Sequence, residues 1–96
     1  APGRELRRVL QARDRHCRAP GCAVPARRCD IDHTVEWRRG GRTVPETLSC
    51  LCRYHHVMRE FGWGLAQPVP GVLEWTSPGG RVYRTSPSRI APPARR

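Results

Sequence analysis

The chain has 96 residues, which is enough for one small domain and too few for two. Only 38% of the residues are hydrophobic and ten are proline, so we expect a small hydrophobic core that needs an additional stabilising cross-link. Eighteen arginines and no lysine oppose eight acidic residues, and the net charge of +10 favours a polyanionic partner. No apolar run approaches the roughly 18 residues of a membrane-spanning helix and no signal-peptide pattern is present, so we expect a soluble, cytoplasmic protein with no membrane partner.

The first predicted element is an amphipathic helix over residues 3–15. Leu6, Val9 and Leu10 recur at i, i+3 and i+4 and should face the core. Most of the arginines in this segment, Arg13 among them, should lie away from that apolar stripe. The helix is therefore expected to cover one side of the core.

A tight turn between two cysteines follows the helix. Pro20 and Gly21 lie between Cys17 and Cys22 and should bring the two thiols together in a knuckle. The chain has five cysteines, an odd number, and thiols in a reducing compartment more often hold a metal or stay free than form disulfides.

The middle of the chain is predicted to have the order β-β-α. Residues 29–37 contain β-forming side chains and read as a short strand that ends near His33. Residues 48–52 form a second candidate strand, and residues 53–61 have helix-compatible composition, with Gly62 as the C-terminal cap.

The last predicted element is a β-hairpin within residues 72–84, where apolar and polar residues alternate on either side of a Ser-Pro-Gly-Gly turn. We assign residues 1–85 to a single α+β domain with an N-terminal helix and a C-terminal hairpin. Residues 86–96 are rich in proline and arginine and are expected to form a disordered basic tail.

The strongest chemical pattern is a pair of cysteines followed, thirty residues later, by a cysteine and a histidine. Cys17 and Cys22 lie across the tight turn, while Cys52 and His55 are spaced i, i+3 at the start of the predicted helix. Such a set can converge on one tetrahedral ion, as in structural zinc sites. Zinc bound here would stabilise a core this thin.

Two other cysteines leave the choice of ligands open. Cys50 lies two residues before Cys52, on the same face of an extended segment, and Cys29 lies near the other end of the site. Either could replace one of the four ligands, although we expect both to be spectators. The simpler interpretation, in which the cysteines are small buried apolar residues, does not explain the knuckle spacing.

A second set of residues suggests a separate cation site. His55 and His56 are adjacent and therefore point about 100° apart on a helix, so they should serve different sites. Asp32 with His56 and Glu60 would form an open site for Mg²⁺ or Mn²⁺, with Ni²⁺ or Zn²⁺ as alternatives, and His33 would be an imidazole base beside it. This combination is suited to phosphodiester cleavage.

Several arginines are candidate phosphate contacts, because they flank the predicted helix of the site or lie on the loop before it. They are Arg38, Arg39, Arg42, Arg53 and Arg59. No predicted helix presents Asn or Gln for reading base edges, so we expect low sequence specificity.

Together these residues resemble the HNH nuclease family, also called ββα-metal or His-Me finger nucleases. More narrowly, the chain resembles the HNH module found at the C-terminus of many bacterial proteins with an uncharacterised helical upstream region. The resemblance covers about residues 4–85 and is carried by Cys17-x4-Cys22, Asp32-His33, Trp37, Gly40-Gly41, Leu51-Cys-Arg-Tyr-His-His56, Gly62-Trp63 and Trp75-Thr-Ser-Pro-Gly-Gly-Arg-Val-Tyr83.

The resemblance implies a zinc-stabilised endonuclease that hydrolyses double-stranded DNA to 5′-phosphate and 3′-hydroxyl ends without a small-molecule cofactor. It implies that His33 is the general base and that Asp32 and His56 hold the catalytic cation. It also implies that the structural zinc ligands are Cys17, Cys22, Cys52 and His55. Glu60 replaces the family's last histidine and keeps an oxygen ligand for Mg²⁺ or Mn²⁺.

One residue departs from the family pattern at a functional position. The family's middle asparagine, which braces the loop and orients the base, corresponds to Thr47, and the chain contains no asparagine. Threonine makes one or two hydrogen bonds with a shorter reach, so we expect a weaker brace. Two alternatives to an active nuclease follow: an impaired HNH fold that acts as a zinc-stabilised DNA-binding module, and an unrelated zinc knuckle for protein contacts.

Overall fold

Two α-helices and two antiparallel sheets make up the described part of the chain, which confirms the predicted α+β class. The structure is a computed structural model that describes residues 3–34 and 42–87. Several predicted features lie outside these ranges, namely Trp37, Arg38, Arg39, Gly40, Gly41 and the tail from residue 88 onwards. Within the described ranges, no helix has the length and apolar character needed to cross a bilayer.

Helix α1 spans Arg4–Asp14, close to its predicted range. Leu10 is fully buried and Leu6 packs against the core, as the apolar stripe predicts. Val9 differs, because 47% of its surface is exposed. The helix ends at Arg15, whose φ is 66° and whose N–H donates to the Gln11 carbonyl.

The knuckle after α1 forms as predicted. The Cys22 N–H donates to the Ala19 carbonyl at 3.1 Å, and Gly21 adopts φ +77°, a conformation that favours glycine. The Cys17 N–H donates to the Val24 carbonyl at 2.8 Å and closes the base of the turn.

The β-β-α order of the middle segment is also confirmed. Strand β1, Asp30–His33, pairs antiparallel with strand β2, Leu48–Leu51, and Asp32 lies opposite Ser49. All four residues of β2 are buried. Helix α2 spans Arg53–Met58 and continues as a 3₁₀ turn that ends at Gly62 with φ 96°. Helix α2 contacts both strands, so the β1 and α2 side chains can meet.

The C-terminal part is a three-stranded sheet, one strand more than the predicted hairpin. Strand β4, Val72–Thr76, lies between β3, Gly64–Val69, and β5, Val82–Thr85. Strand β3 was not predicted because Pro68 and Pro70 interrupt the alternation of apolar and polar residues that indicates a strand. The register shifts between Ala66 and Val69, and the strand lies at the sheet edge, where proline is tolerated.

A buried ion-pair network joins α1 to the rest of the domain. Asp14 is fully buried and accepts hydrogen bonds from Arg13 Nε at 2.7 Å, Arg18 Nη1 at 2.8 Å and the Cys50 N–H at 3.0 Å. The predicted outward position of Arg13 is therefore wrong, since only 18% of its side chain is exposed. A charged partner, Asp14, draws the guanidinium inward.

Arg18 carries this network to the C-terminal sheet. Its buried guanidinium donates to the carbonyls of Gly71 at 2.8 Å and Thr85 at 2.9 Å, while its own carbonyl accepts from Trp75 Nε1 at 3.1 Å. The knuckle segment, α1 and the sheet of β3, β4 and β5 are thus joined through one side chain.

We expect Asp14→Ala to lower the free energy of unfolding by about 3–5 kcal/mol, because it would leave the buried Arg18 charge unpaired. The matched control is Arg84→Ala, which breaks the ion pair of Arg84 with Glu74 but exposes little new surface, since 68% of the Arg84 side chain is already exposed. That substitution should lower the free energy of unfolding by less than about 1 kcal/mol. Urea unfolding measures both values, and equal losses would contradict the role of burial.

Candidate metal centre and active site

Four side chains that could bind a metal converge between the knuckle and α2. Cys17 and Cys22 come from the two sides of the knuckle, Cys52 lies immediately before α2, and His55 lies in its first turn. Their ligand atoms all lie within 4.8 Å of one another. This Cys₃His group contains the four residues that the spacing predicts.

The geometry of the group fits a tetrahedral ion. His55 Nδ1 lies 3.3 Å from Cys52 Sγ and 3.6 Å from Cys17 Sγ. Zinc bonds of about 2.3 Å to sulfur and 2.0–2.1 Å to nitrogen place tetrahedral S and N ligands about 3.6 Å apart. The Cys₃His group could therefore hold a metal such as zinc.

Burial sets the protonation of these ligands. It raises the pKa of the Cys17 thiol to about 12 and lowers the pKa of the His55 imidazole. The imidazole is therefore neutral at neutral pH, and a metal must displace the thiol proton. Because protons compete with the metal for these ligands, affinity should fall as the pH falls.

The other two cysteines do not join the Cys₃His group. Cys29 Sγ faces the Pro25 carbonyl at 3.5 Å, and burial raises its pKa to about 11. Cys50 is fully buried in β2 opposite Ile31, and burial raises its pKa as well. Both residues have the spectator positions that we expect from the sequence.

At the second predicted site, side chains of β1 contact His56 of α2. Asp30 and Asp32 are spaced i, i+2 on β1 and so share one face of the strand. His56 lies between them, with Nδ1 at 3.0 Å from Asp30 Oδ2 and Nε2 at 3.5 Å from Asp32 Oδ1. His55 and His56 thus contact different groups, as their adjacent positions on a helix predict.

Two of the predicted phosphate contacts form ion pairs with these carboxylates. Arg59 Nη1 donates to Asp32 Oδ2 at 2.5 Å and to the His33 carbonyl at 2.8 Å. Arg53 Nε lies 3.3 Å from Asp30 Oδ2, and 78% of the Arg53 side chain is exposed. Each β1 carboxylate therefore has an arginine partner on α2 or just after it.

The loop before β2 contacts the candidate base. His33 ends β1, and its Nε2 lies 3.5 Å from Thr43 Oγ1. The Thr47 hydroxyl contacts the Arg42 carbonyl, and the Thr47 carbonyl accepts the Thr34 N–H at 2.8 Å. Thr47 thus ties the start of β2 both to the preceding loop and to the residue after His33.

The remaining predicted site residues contribute less to this geometry. Glu60 is exposed, and within residues 3–34 and 42–87 it belongs to no group of three or more potential metal ligands. Arg42 is exposed on the loop before β2. Arg38 and Arg39 lie outside the described residues.

The chain is similar to one part of several longer mycobacterial proteins. Two uncharacterised proteins of Mycobacterium tuberculosis are 46% and 44% identical to it, over 93% and 97% of the chain. A third is 35% identical over 73% of the chain. The chain spans only 16–18% of the length of these relatives. No protein-family model and no solved structure matches it.

The contact of Asp30 with His56 was not predicted from the sequence. The signal was present, because the i, i+2 spacing of Asp30 and Asp32 on a predicted strand places both carboxylates on one face. The pairing of Arg59 with Asp32 had no comparable signal, since an exposed arginine on a helix fits a phosphate contact equally well.

Proposed function

We propose that this chain is a zinc-stabilised, metal-dependent endonuclease domain of the HNH, or ββα-metal, type that hydrolyses double-stranded DNA with low sequence specificity. One observation carries the proposal: Asp32 and His56 face each other at 3.5 Å beside His33, apart from the Cys₃His group. A structural zinc knuckle alone would not need this second set of residues.

His33 is suited to the role of general base. It follows Asp32 directly at the end of β1, and its Nε2 lies 3.5 Å from Thr43 Oγ1 on the loop before β2. A neutral imidazole can take a proton from water as the water attacks phosphorus, and such help is worth about 10²–10⁴ in rate.

Asp32 and His56 are the residues that would hold the catalytic cation. Adjacent octahedral ligands of Mg²⁺ or Mn²⁺, with bonds of about 2.0–2.2 Å, lie about 3 Å apart, so Asp32 Oδ1 and His56 Nε2, now 3.5 Å apart, would have to approach each other by about 0.5 Å to bind one ion. Mg²⁺ or Mn²⁺ held there would stabilise negative charge on the phosphate and on the leaving 3′-oxygen. Glu60 is exposed, four residues after His56.

The arginines supply attraction for the polyanionic substrate. The chain carries a net charge of +10, and exposed Arg42 and Arg53 lie on the loop before β2 and at the start of α2. Arg59 is the third candidate, but its guanidinium must leave Asp32 before it can contact a phosphate.

A plasmid-nicking assay tests the proposal. The zinc-loaded protein should nick supercoiled plasmid when Mg²⁺ or Mn²⁺ is added and should leave it intact without either ion. Cleavage that needs no added divalent ion would contradict the metal mechanism. DNA binding without cleavage in any of these ions would favour the non-cleaving DNA-binding module, for which the occupation of Asp32 by Arg59 is the supporting observation.

Thr47 offers a second test that separates these two functions. Because the Thr47 hydroxyl already contacts the Arg42 carbonyl, we expect Thr47→Asn to change the cleavage rate by less than about tenfold, the value of one neutral hydrogen bond. The isosteric Thr47→Val should cleave more slowly, because it keeps the shape and loses the hydroxyl. A gain of several orders of magnitude in Thr47→Asn would show that the natural loop is impaired.

A further inference from the structure

Both ring nitrogens of His56 face a carboxylate, although a neutral imidazole carries only one proton. Nδ1 lies 3.0 Å from Asp30 Oδ2, a normal hydrogen-bond distance, whereas Nε2 lies 3.5 Å from Asp32 Oδ1. The shorter contact favours the proton on Nδ1, where it is donated to Asp30. The lone pair is then on Nε2, directed towards Asp32.

We propose that Asp30 is a positioning residue for the cation site, acting through His56 rather than by touching the ion. By accepting the Nδ1 proton it selects the tautomer and the ring orientation in which Nε2 is an available ligand beside Asp32. A carboxylate behind a ligating histidine has this effect in many metal sites, and its removal typically costs 10–100-fold in metal affinity or activity. The inference rests on the proposed function of Asp32 and His56.

The surroundings of Asp30 are built for this role. Arg53 contacts both carboxylate oxygens, Nε to Oδ2 at 3.3 Å and Nη2 to Oδ1 at 3.4 Å, and so limits rotation of the carboxylate. Asp30 also lies opposite Leu51 at the end of the β1–β2 pair, and Leu51 is two residues before the start of α2. The position of the carboxylate is therefore fixed relative to the helix that carries His56.

Asp30 can be replaced without a large loss of stability. Its side chain is 31% exposed and that of Arg53 is 78% exposed, so no buried charge is left unpaired when the carboxylate is removed. Glu74 is a matched control, because its side chain is 27% exposed and it pairs with an exposed arginine, Arg84, in the other sheet. Asp30→Ala and Glu74→Ala therefore remove equivalent groups, only one of which touches His56.

The experiment measures Mn²⁺ affinity by electron paramagnetic resonance of zinc-loaded protein. Asp30→Ala should bind Mn²⁺ about 10–100-fold more weakly than the parent, while Glu74→Ala should bind it equally. Asp30→Asn, which keeps an acceptor oxygen for Nδ1–H, should fall between them. All variants should retain one zinc per chain. Unchanged Mn²⁺ affinity in a folded Asp30→Ala protein would overturn the proposal.

A second measurement tests Asp30 separately from the nuclease function. Long-range ¹H–¹⁵N NMR of the histidine rings reports which nitrogen of His56 carries the proton in zinc-loaded protein with no other ion added. We expect the proton on Nδ1 in the parent and a shift of the tautomer towards Nε2–H in Asp30→Ala. A parent protein with the proton on Nε2 would overturn the positioning role even if DNA is cleaved. If Mn²⁺ does not bind at all, the proposed cation site is wrong. The NMR result then still shows whether Asp30 sets the tautomer of His56.

Discussion

Cys52→Ala is expected to lose both its bound zinc and its cooperative thermal transition. The Cys₃His group is the link between the knuckle and α2, and the core that would have to compensate is small. Among the described residues the fully buried large hydrophobic side chains are five: Leu10, Leu48, Leu51, Leu73 and Trp75. Apparent free energies of structural zinc binding, about 10–16 kcal/mol in small fingers, exceed the total stability of most domains this size.

Zinc content by mass spectrometry and thermal melting by circular dichroism measure this effect. Cys29→Ala is the control, because Cys29 is a buried thiol outside the Cys₃His group. It should keep one zinc per chain and a cooperative melt. A Cys52→Ala protein that melts cooperatively within a few degrees of the parent would show that the metal is not needed for folding.

His33→Ala is expected to lose about 10²–10⁴-fold of the plasmid-nicking rate while its affinity for DNA stays the same. The reason is that His33 would act on the attacking water, whereas the attraction for DNA would come from arginines elsewhere on the surface. Nicking under single-turnover conditions and a gel-shift titration separate the rate from the affinity.

Two controls make the His33 result interpretable. The variant should retain its zinc, because His33 lies outside the Cys₃His group and the substitution keeps the backbone carbonyl that accepts a hydrogen bond from Arg59. Arg42→Ala should show the opposite behaviour, with weaker DNA binding and a smaller effect on the rate at saturating protein. Equal nicking rates in His33→Ala and the parent would remove the general-base role.

The features that the sequence predicted well are those encoded locally. The ligands Cys17, Cys22, Cys52 and His55 follow from the spacing of two thiols across a tight turn and from an i, i+3 pair at a helix start. The order of β1, β2 and α2 follows from short β-forming runs and from a glycine cap. These signals need no knowledge of distant contacts.

The features that the sequence did not predict depend on distant partners. The position of Arg13 is set by Asp14 and by the carbonyls of Pro45 and Leu48, which α1 meets only in the folded chain. Position 13 lies on the same helical face as Leu6 and Leu10, but an arginine was expected to turn away from that face. Strand β3 was hidden by its prolines, which only an edge position allows.

Because His55 and His56 are adjacent, oxidation of the cysteines around His55 would also affect the position of His56. Helix α2 is only six residues long, so a metal held by His55 and three cysteine sulfurs would limit the rotation of the whole helix about its axis. Oxidants that modify those sulfurs would free the helix to turn about its axis and would carry the neighbouring imidazole away from Asp32. In the nuclease proposed above, oxidation of the cysteines would therefore lower the cleavage rate without modifying Asp32 or His56 themselves.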